Sequence, residues 1–121
     1  MQISTLLSYA GGFKDAVEEI KQLESAGLDM VWVPEAYSFD APSAMGYLAA
    51  NTERVTIASG ILPIYSRTPT LLAMTAAGID YLSDGRCMLG LGASGPQVIE
   101  GFHGVPYEAP VGKMKEIVEI C

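Results

Sequence analysis

Two apolar runs end in glycine, and these strand ends are the first places to look for chemistry. One is Val55-Thr-Ile-Ala-Ser-Gly-Ile61; the other closes in Gly90-Leu-Gly-Ala-Ser-Gly-Pro96. Glycine at the end of a buried strand marks a bend or a close approach of the backbone to something flat. Two such ends in one strand–helix series predict a ligand lying across both, met by backbone N–H groups and small side chains. The alternative is a glycine-rich end that merely packs. Gly90-x-Gly92-x-x-Gly95 also matches the dinucleotide fingerprint in spacing. That reading requires the first strand–helix turn and an acid ending the next strand roughly 20 residues on. Here the glycines follow the fourth strand, Pro96 follows the third glycine, and Glu116 and Glu119 fall within a helical pattern. A dinucleotide site is not expected.

Glu35, Tyr37 and Asp40 follow the second apolar run, Met30-Val-Trp-Val33. A carboxylate just beyond a barrel strand is where catalytic or cofactor-orienting groups sit; the competing reading is a solvated loop acid. His103 is the single histidine. Hydrolase chemistry would need it beside a serine in G-x-S-x-G, which is absent. Zinc would need more ligands than one His and two distant Cys. His103 therefore reads as structural or loop-exposed. Arg67 suits either an anionic group or a loop acid. The six tyrosines read as core or rim packing, with Tyr9 and Tyr65 closest to strand exits.

The elements that position these residues alternate. Gln2–Ser8 reads as a first strand, broken by Gly11-Gly12. Phe13, Ala16, Val17, Ile20, Leu23 and Ala26 recur at helical spacing, with Lys14, Asp15, Glu18, Glu19, Lys21 and Glu24 opposite, and Gly27 stops the helix. Residues 30–33, continuously apolar, suit a strand buried on both faces of a parallel sheet. Asp40 N-caps a helix over 41–50 with Pro42 in its first turn. Strand three spans Val55–Ile61. Thr68-Pro69 opens a helix to Leu82, with Leu71, Leu72, Thr75, Ile79 and Leu82 as its stripe. Residues 83–86 form a tight turn, and Cys87–Leu91 is strand four. A short helix over Pro96–His103 and a last one over Val111–Cys121, with Val111, Met114, Ile117 and Val118 inward, complete the order β-α-β-α-β-α-β-α. Such alternation implies an α/β fold with a parallel sheet and right-handed crossovers.

Composition narrows the function classes. The 121 residues suffice for one small domain with a modest core, and carry a net charge of −7 from 14 acidic and 7 basic residues. The basic residues are scattered, so nucleic acid is not an expected partner. No run approaches the roughly 18 apolar residues of a membrane span. With no evident secretory signal and two cysteines far apart, a reducing, cytoplasmic setting is expected.

Taken in order, Ala26-Gly-Leu-Asp-Met-Val-Trp-Val-Pro-Glu35, Ile57-Ala-Ser-Gly-Ile-Leu-Pro-Ile-Tyr-Ser-Arg-Thr-Pro69, Leu82-Ser-Asp-Gly-Arg86, Leu89-Gly-Leu-Gly-Ala-Ser-Gly-Pro96 and Val105-Pro-Tyr-Glu-Ala-Pro110 resemble the luciferase-like monooxygenase superfamily. The likeness is greatest to its deazaflavin branch, the coenzyme F-420-dependent oxidoreductases and methylene-tetrahydromethanopterin reductase. It implies a TIM (β/α)8 barrel, with residues 1–121 forming about four βα units as the N-terminal half. It also implies a non-prolyl cis peptide at Gly60-Ile61, and hydride transfer between coenzyme F-420 and an organic small-molecule substrate. FMN-dependent monooxygenation is the alternative. By this likeness Ser59, Gly60 and Ile61 back the ring. Glu35, the candidate catalytic residue, and Ala36 lie beside it, while Ala93, Ser94 and Gly95 contact it or the ribityl chain.

Two departures bear on mechanism. Sugar-phosphate dehydrogenase relatives carry an acid after the glycine matching Gly95, where this chain has Pro96. They carry a histidine after the strand-two acid, where this chain has Ala36. Both favour a reductase or monooxygenase over that acid–base mechanism. The residues that hold a phosphate tail are expected beyond Cys121. An open half-barrel exposes strand edges and its apolar lining, so a homo-oligomer is expected. A non-catalytic half-barrel that dimerises, or a truncated relic, is the reading from another class.

Overall fold

Short apolar strands alternate with capped helices, and the strands pair in parallel. In the computed structural model, which describes residues 1–8 and 12–121, the order is β1 (Ser4–Leu6), α1 (Phe13–Ser25), β2 (Met30–Val33), α2 (Ala41–Asn51), β3 (Thr56–Ser59), β4 (Leu62–Pro63), α3 (Pro69–Leu82), β5 (Cys87–Met88), β6 (Leu91–Gly92), α4 (Pro96–Ile99) and α5 (Pro110–Ile120). Tyr9 and Gly11, read above as a rim residue and a strand breaker, lie outside the described residues. One sheet runs β1-β2-β3-β5, and β4 pairs with β6. All pairs are parallel.

Strands three and four, each expected as one run, are each divided. The interruptions fall side by side, and pairing then resumes between the same two runs: the Leu62 N–H donates to Gly90 O at 2.8 Å and the Ile64 N–H to Gly92 O at 3.0 Å. Strand one is shorter than expected. The Pro96–His103 helix is confined to Pro96–Ile99, because Gly101 and Gly104 follow and Gly104 adopts a φ of +67°.

The register separates two faces. Thr5, Val31, Ile57 and Cys87 form one row, and Leu6, Trp32, Ala58 and Met88 the next. Val31 and Ile57 are fully buried in a core with Val17, Ile20, Met45, Leu48, Leu72 and Ile79 from α1, α2 and α3. On the opposite face Leu6 is 59% and Met88 41% exposed. One face thus carries the helices, while the second row, with Trp32 half-buried in it, has edges open among the described residues.

Expected caps are present. The Asp40 carboxylate accepts from the Ser43 N–H at 3.0 Å, and Thr68 Oγ1 accepts from the Leu71 N–H at 3.2 Å. Gly27, with φ +103°, closes α1: its N–H donates to Glu24 O, and the Leu28 N–H to Leu23 O. The helix stripes are narrower than the periodicity suggests. Leu23, Leu71, Leu82, Val111 and Val118 are exposed, whereas Glu24, assigned above to the polar face of α1, is buried. Its carboxylate accepts from the backbone N–H groups of Glu53, Arg54 and Val55, tying α1 to the start of β3. Arg86 does the same for α2. Nε donates to Ser83 O, Nη1 to Thr52 Oγ1 and Val55 O, and Nη2 to Ala49 O and Thr52 O. All five guanidinium donors are used, several on carbonyls at the C-terminal end of α2, where a cation is favoured.

Burial alone would raise the Glu24 pKa, but the donors from Val55, Arg54 and Glu53 hold it below its ordinary value. The folded chain therefore takes up this proton less readily than the unfolded chain. The resulting stability is complete above the unfolded pKa and is lost as pH falls through the folded one. Thermal melts across that acid range are expected to fall less steeply for Glu24→Gln than for the wild type, with the variant less stable at neutral pH. Parallel acid limbs would contradict this role.

Candidate functional site

Where β3 and β5 end, their backbones are in direct contact. A Cβ placed on Gly90 would lie 2.0 Å from Ser59 O, so no other residue fits there without moving the strand. Ser59 completes the junction from its side chain: its hydroxyl donates to Gly90 O at 2.9 Å and accepts from the Gly90 N–H at 2.8 Å. Ser59 is fully buried and shares a row with Val33. The hydroxyl expected to back a ring is thus engaged with the neighbouring strand.

Beyond this junction Gly60 and Ile61 turn towards the open face. The Gly60 N–H donates to Val33 O at 2.8 Å, and the Gly60–Ile61 peptide is cis. A Cβ on Gly60 would lie 3.4 Å from Cβ and Cε3 of Trp32, in ordinary contact with the indole. A Cβ on Gly92 would fall 2.7 Å from Cγ1 and Cδ1 of Ile61, so Ile61 lies directly over β6. Ala93, Ser94 and Gly95 continue from β6. Ser94 has a φ of +56°, and its carbonyl accepts from Tyr107 Oη at 3.2 Å. Tyr107 packs on Tyr65 with ring centroids 5.0 Å apart, Tyr65 Oη donates to Glu108 O, and Lys113 Nζ lies 4.2 Å from the Tyr65 ring centroid. The segment after β6 is therefore braced from α5 and the loop before it.

Glu35 belongs to a second group. Arg67 Nη1 donates to its Oε1 at 2.5 Å, Arg67 Nη2 to its Oε2 at 2.8 Å, and the Ala41 N–H to Oε2 at 2.7 Å. The side chains are 8% (Glu35) and 12% (Arg67) exposed. This bidentate pair joins the β2–α2 loop, the first residue of α2 and the β4–α3 loop. Of the two partners left open for Arg67, the loop acid is the one the structure shows. Both carboxylate oxygens of the candidate catalytic residue are engaged, so Glu35 as placed fixes loops. Glu35 and Ala36 line a cleft of about 330 Å³ with Ser66, Arg67, Phe102 and His103. His103 is exposed, its ring 5.1 Å from that of Phe102.

The expected site residues thus fall into two clusters: a wall of Gly60 and Ile61 flanked by Ala93–Gly95, and a rim cleft with Glu35 and Ala36. Trp32 was absent from the expected set, although strand alternation alone places it on the face opposite Val31 and Val33.

A family model for luciferase-like monooxygenases matches residues 1–121. The chain belongs to that family. A putative coenzyme F-420-dependent oxidoreductase of Mycobacterium tuberculosis is 36% identical over 122 residues, which cover 99% of this chain and 35% of the relative. The 5,10-methylenetetrahydromethanopterin reductase of Archaeoglobus fulgidus is 31% identical over 84% of this chain and 30% of its own length. Coenzyme F-420-dependent tetrahydromethanopterin reductase from Methanopyrus kandleri superposes with a TM-score of 0.81 at 23% identity, covering 98% of this chain and 38% of that one. The luciferase-like chain described here therefore spans about a third of the length of these relatives. Its parallel strands and alternating helices correspond to part of their barrel.

Removing one partner of a buried ion pair leaves the other charge uncompensated, at a cost of about 3–5 kcal/mol. Arg67→Ala and Glu35→Ala are each expected to lose that order of stability in chemical denaturation. The double variant should lose clearly less than their sum. Strict additivity would show that the two side chains do not act as a pair.

Proposed function

We propose that this chain builds the ring-backing wall of a coenzyme F-420-dependent oxidoreductase, in which a hydride passes between the deazaflavin and an organic substrate. The observation that carries the reading is the meeting of Gly60–Ile61 with Gly92 at the strand ends, beside the uncovered row of Leu6, Trp32 and Met88. Its residues fit a planar ring. Gly60 presents backbone with no side chain in front of it, Ile61 adds an apolar flank, and Ala93, Ser94 and Gly95 are small enough to let main chain approach. When bound, the deazaflavin supplies the hydride chemistry, and the protein supplies position and surroundings.

In this reading Gly60 and Ile61 hold one ring face, while Ala93–Gly95 meet its edge or the ribityl chain. Glu35 and Ala36 shape the adjoining rim, Glu35 by fixing Arg67 and the start of α2. Ala36 and Pro96 carry no titratable group, so neither position moves a proton, which supports a reductase over a sugar-phosphate dehydrogenase. The F-420-dependent activity named for the mycobacterial relative supports the choice of cofactor. No helix among the described residues is long and apolar enough to cross a membrane. Cys87 and Cys121 are free thiols, which accords with a cytoplasmic setting.

Titration of the chain with oxidised and reduced coenzyme F-420, and with FMN, followed by ring fluorescence, tests the reading. Saturable binding of F-420 is expected, abolished by Gly60→Val. Binding of FMN alone would replace it with the monooxygenase reading. Binding of neither would contradict the wall.

A further inference from the structure

Trp32 stands at the centre of the second register row, between Leu6 and Ala58, and it is the single tryptophan of the chain. It is half-buried, on the face that the helices leave open. Its indole is what a side chain on Gly60 would meet, at 3.4 Å from both Cβ and Cε3 and 3.9 Å from Cδ2. A side chain as small as a methyl at this position would already be in van der Waals contact with Trp32, so Trp32 is the side chain that bounds the space beside Gly60. On its other flank the wall meets β6, where Ile61 covers Gly92. Gly60 thus has the Trp32 side chain of β2 as its neighbour, and Ile61 the backbone of β6. Leu6 and Met88 share the row with Trp32, but the three atoms nearest to a Cβ on Gly60 all belong to Trp32.

We propose that Trp32 is the positioning residue of the ring wall: its indole sets the height and tilt at which Gly60–Ile61 meets a bound ring. This rests on the ring-wall reading above. A rigid bicyclic side chain suits the task, because it has few rotamers to lose and a broad face to present. An aliphatic side chain would let the wall settle towards the sheet. A planar ligand held by face contact is sensitive to such a shift, because a gap of 0.5–1 Å forfeits about a quarter to a half of the dispersion attraction.

The test measures ring affinity and thermal stability together, on the full chain titrated with coenzyme F-420 and FMN. Trp32→Ala is expected to bind about tenfold more weakly or worse, and Trp32→Phe to bind close to wild type. Tyr81→Ala and Val111→Ala, at exposed positions on α3 and α5, should leave affinity unchanged. Gly60→Val should abolish saturable binding in the wild-type background, where the branched side chain extends past the single methyl that fits at 3.4 Å and presses on Trp32. In the Trp32→Leu background it should weaken binding less, because the smaller side chain makes room. That non-additivity in affinity would not arise from a general loss of stability. If Trp32→Ala does not fold, Trp32→Phe, Gly60→Val and the Trp32→Leu combination still decide the matter. Wild-type binding with equal affinity in folded Trp32 variants, or strictly additive Gly60 and Trp32 effects, would overturn the role of Trp32 and leave the ring wall standing. Failure of the wild type to bind either ring would overturn both.

Discussion

The close approach of Ser59 to Gly90 is the constraint on which the rest of the candidate site depends. Any Cβ at position 90 would collide with the Ser59 carbonyl. The two strands can therefore converge only because residue 90 is glycine and because the Ser59 hydroxyl satisfies both of its backbone polar groups. Two neighbouring strands are interrupted at one level, and pairing resumes as β4 and β6. The Gly60–Ile61 peptide lies at this interruption, with the Gly60 N–H still donating to Val33 O.

Polar anchors hold the helices around this junction, and each closes a different joint. Glu24 collects three backbone donors where α1 meets β3. Arg86 gathers carbonyls at the end of α2 and the start of β3. The Glu35–Arg67 pair joins the loops after β2 and β4. Buried charges persist only when hydrogen-bonded, and all three engage backbone groups or an opposite charge. The apolar core orders the sheet and helices, and these anchors set the loop ends at the barrel rim.

The element order, the parallel pairing and the caps at Asp40 and Thr68 were legible from the sequence, because periodicity and capping chemistry are local. The glycines at the strand ends were legible for the same reason, and the family likeness singled out Gly60–Ile61 among them. The tasks of particular polar side chains were not. Glu24 lies on the charged side of α1 by spacing, and only the approach of residues 53–55 turns it inward. The Glu35 carboxylate after a strand suggests catalysis, and its pairing with Arg67 depends on a loop distant in sequence. Ser59 sits at the right strand end for a ligand, yet its register beside Val33 turns it away. Alternation sets Trp32 apart from Val31 and Val33, but only the pairing register shows that its face is the one the helices leave open.

The most direct measurement of the central claim is a map of backbone amide and indole N–H chemical shifts recorded with and without coenzyme F-420. The account predicts that shifts concentrate at Gly60, Ile61, Ala93, Ser94 and Gly95, extend to Trp32 through its indole N–H, and spare the helix-covered face around Val31 and Ile57. A second, more apolar cleft of about 480 Å³ is lined by Phe13, Phe39, Ala44 and Tyr47; shifts gathered there, with the Gly60–Ile61 amides unchanged, would contradict the account.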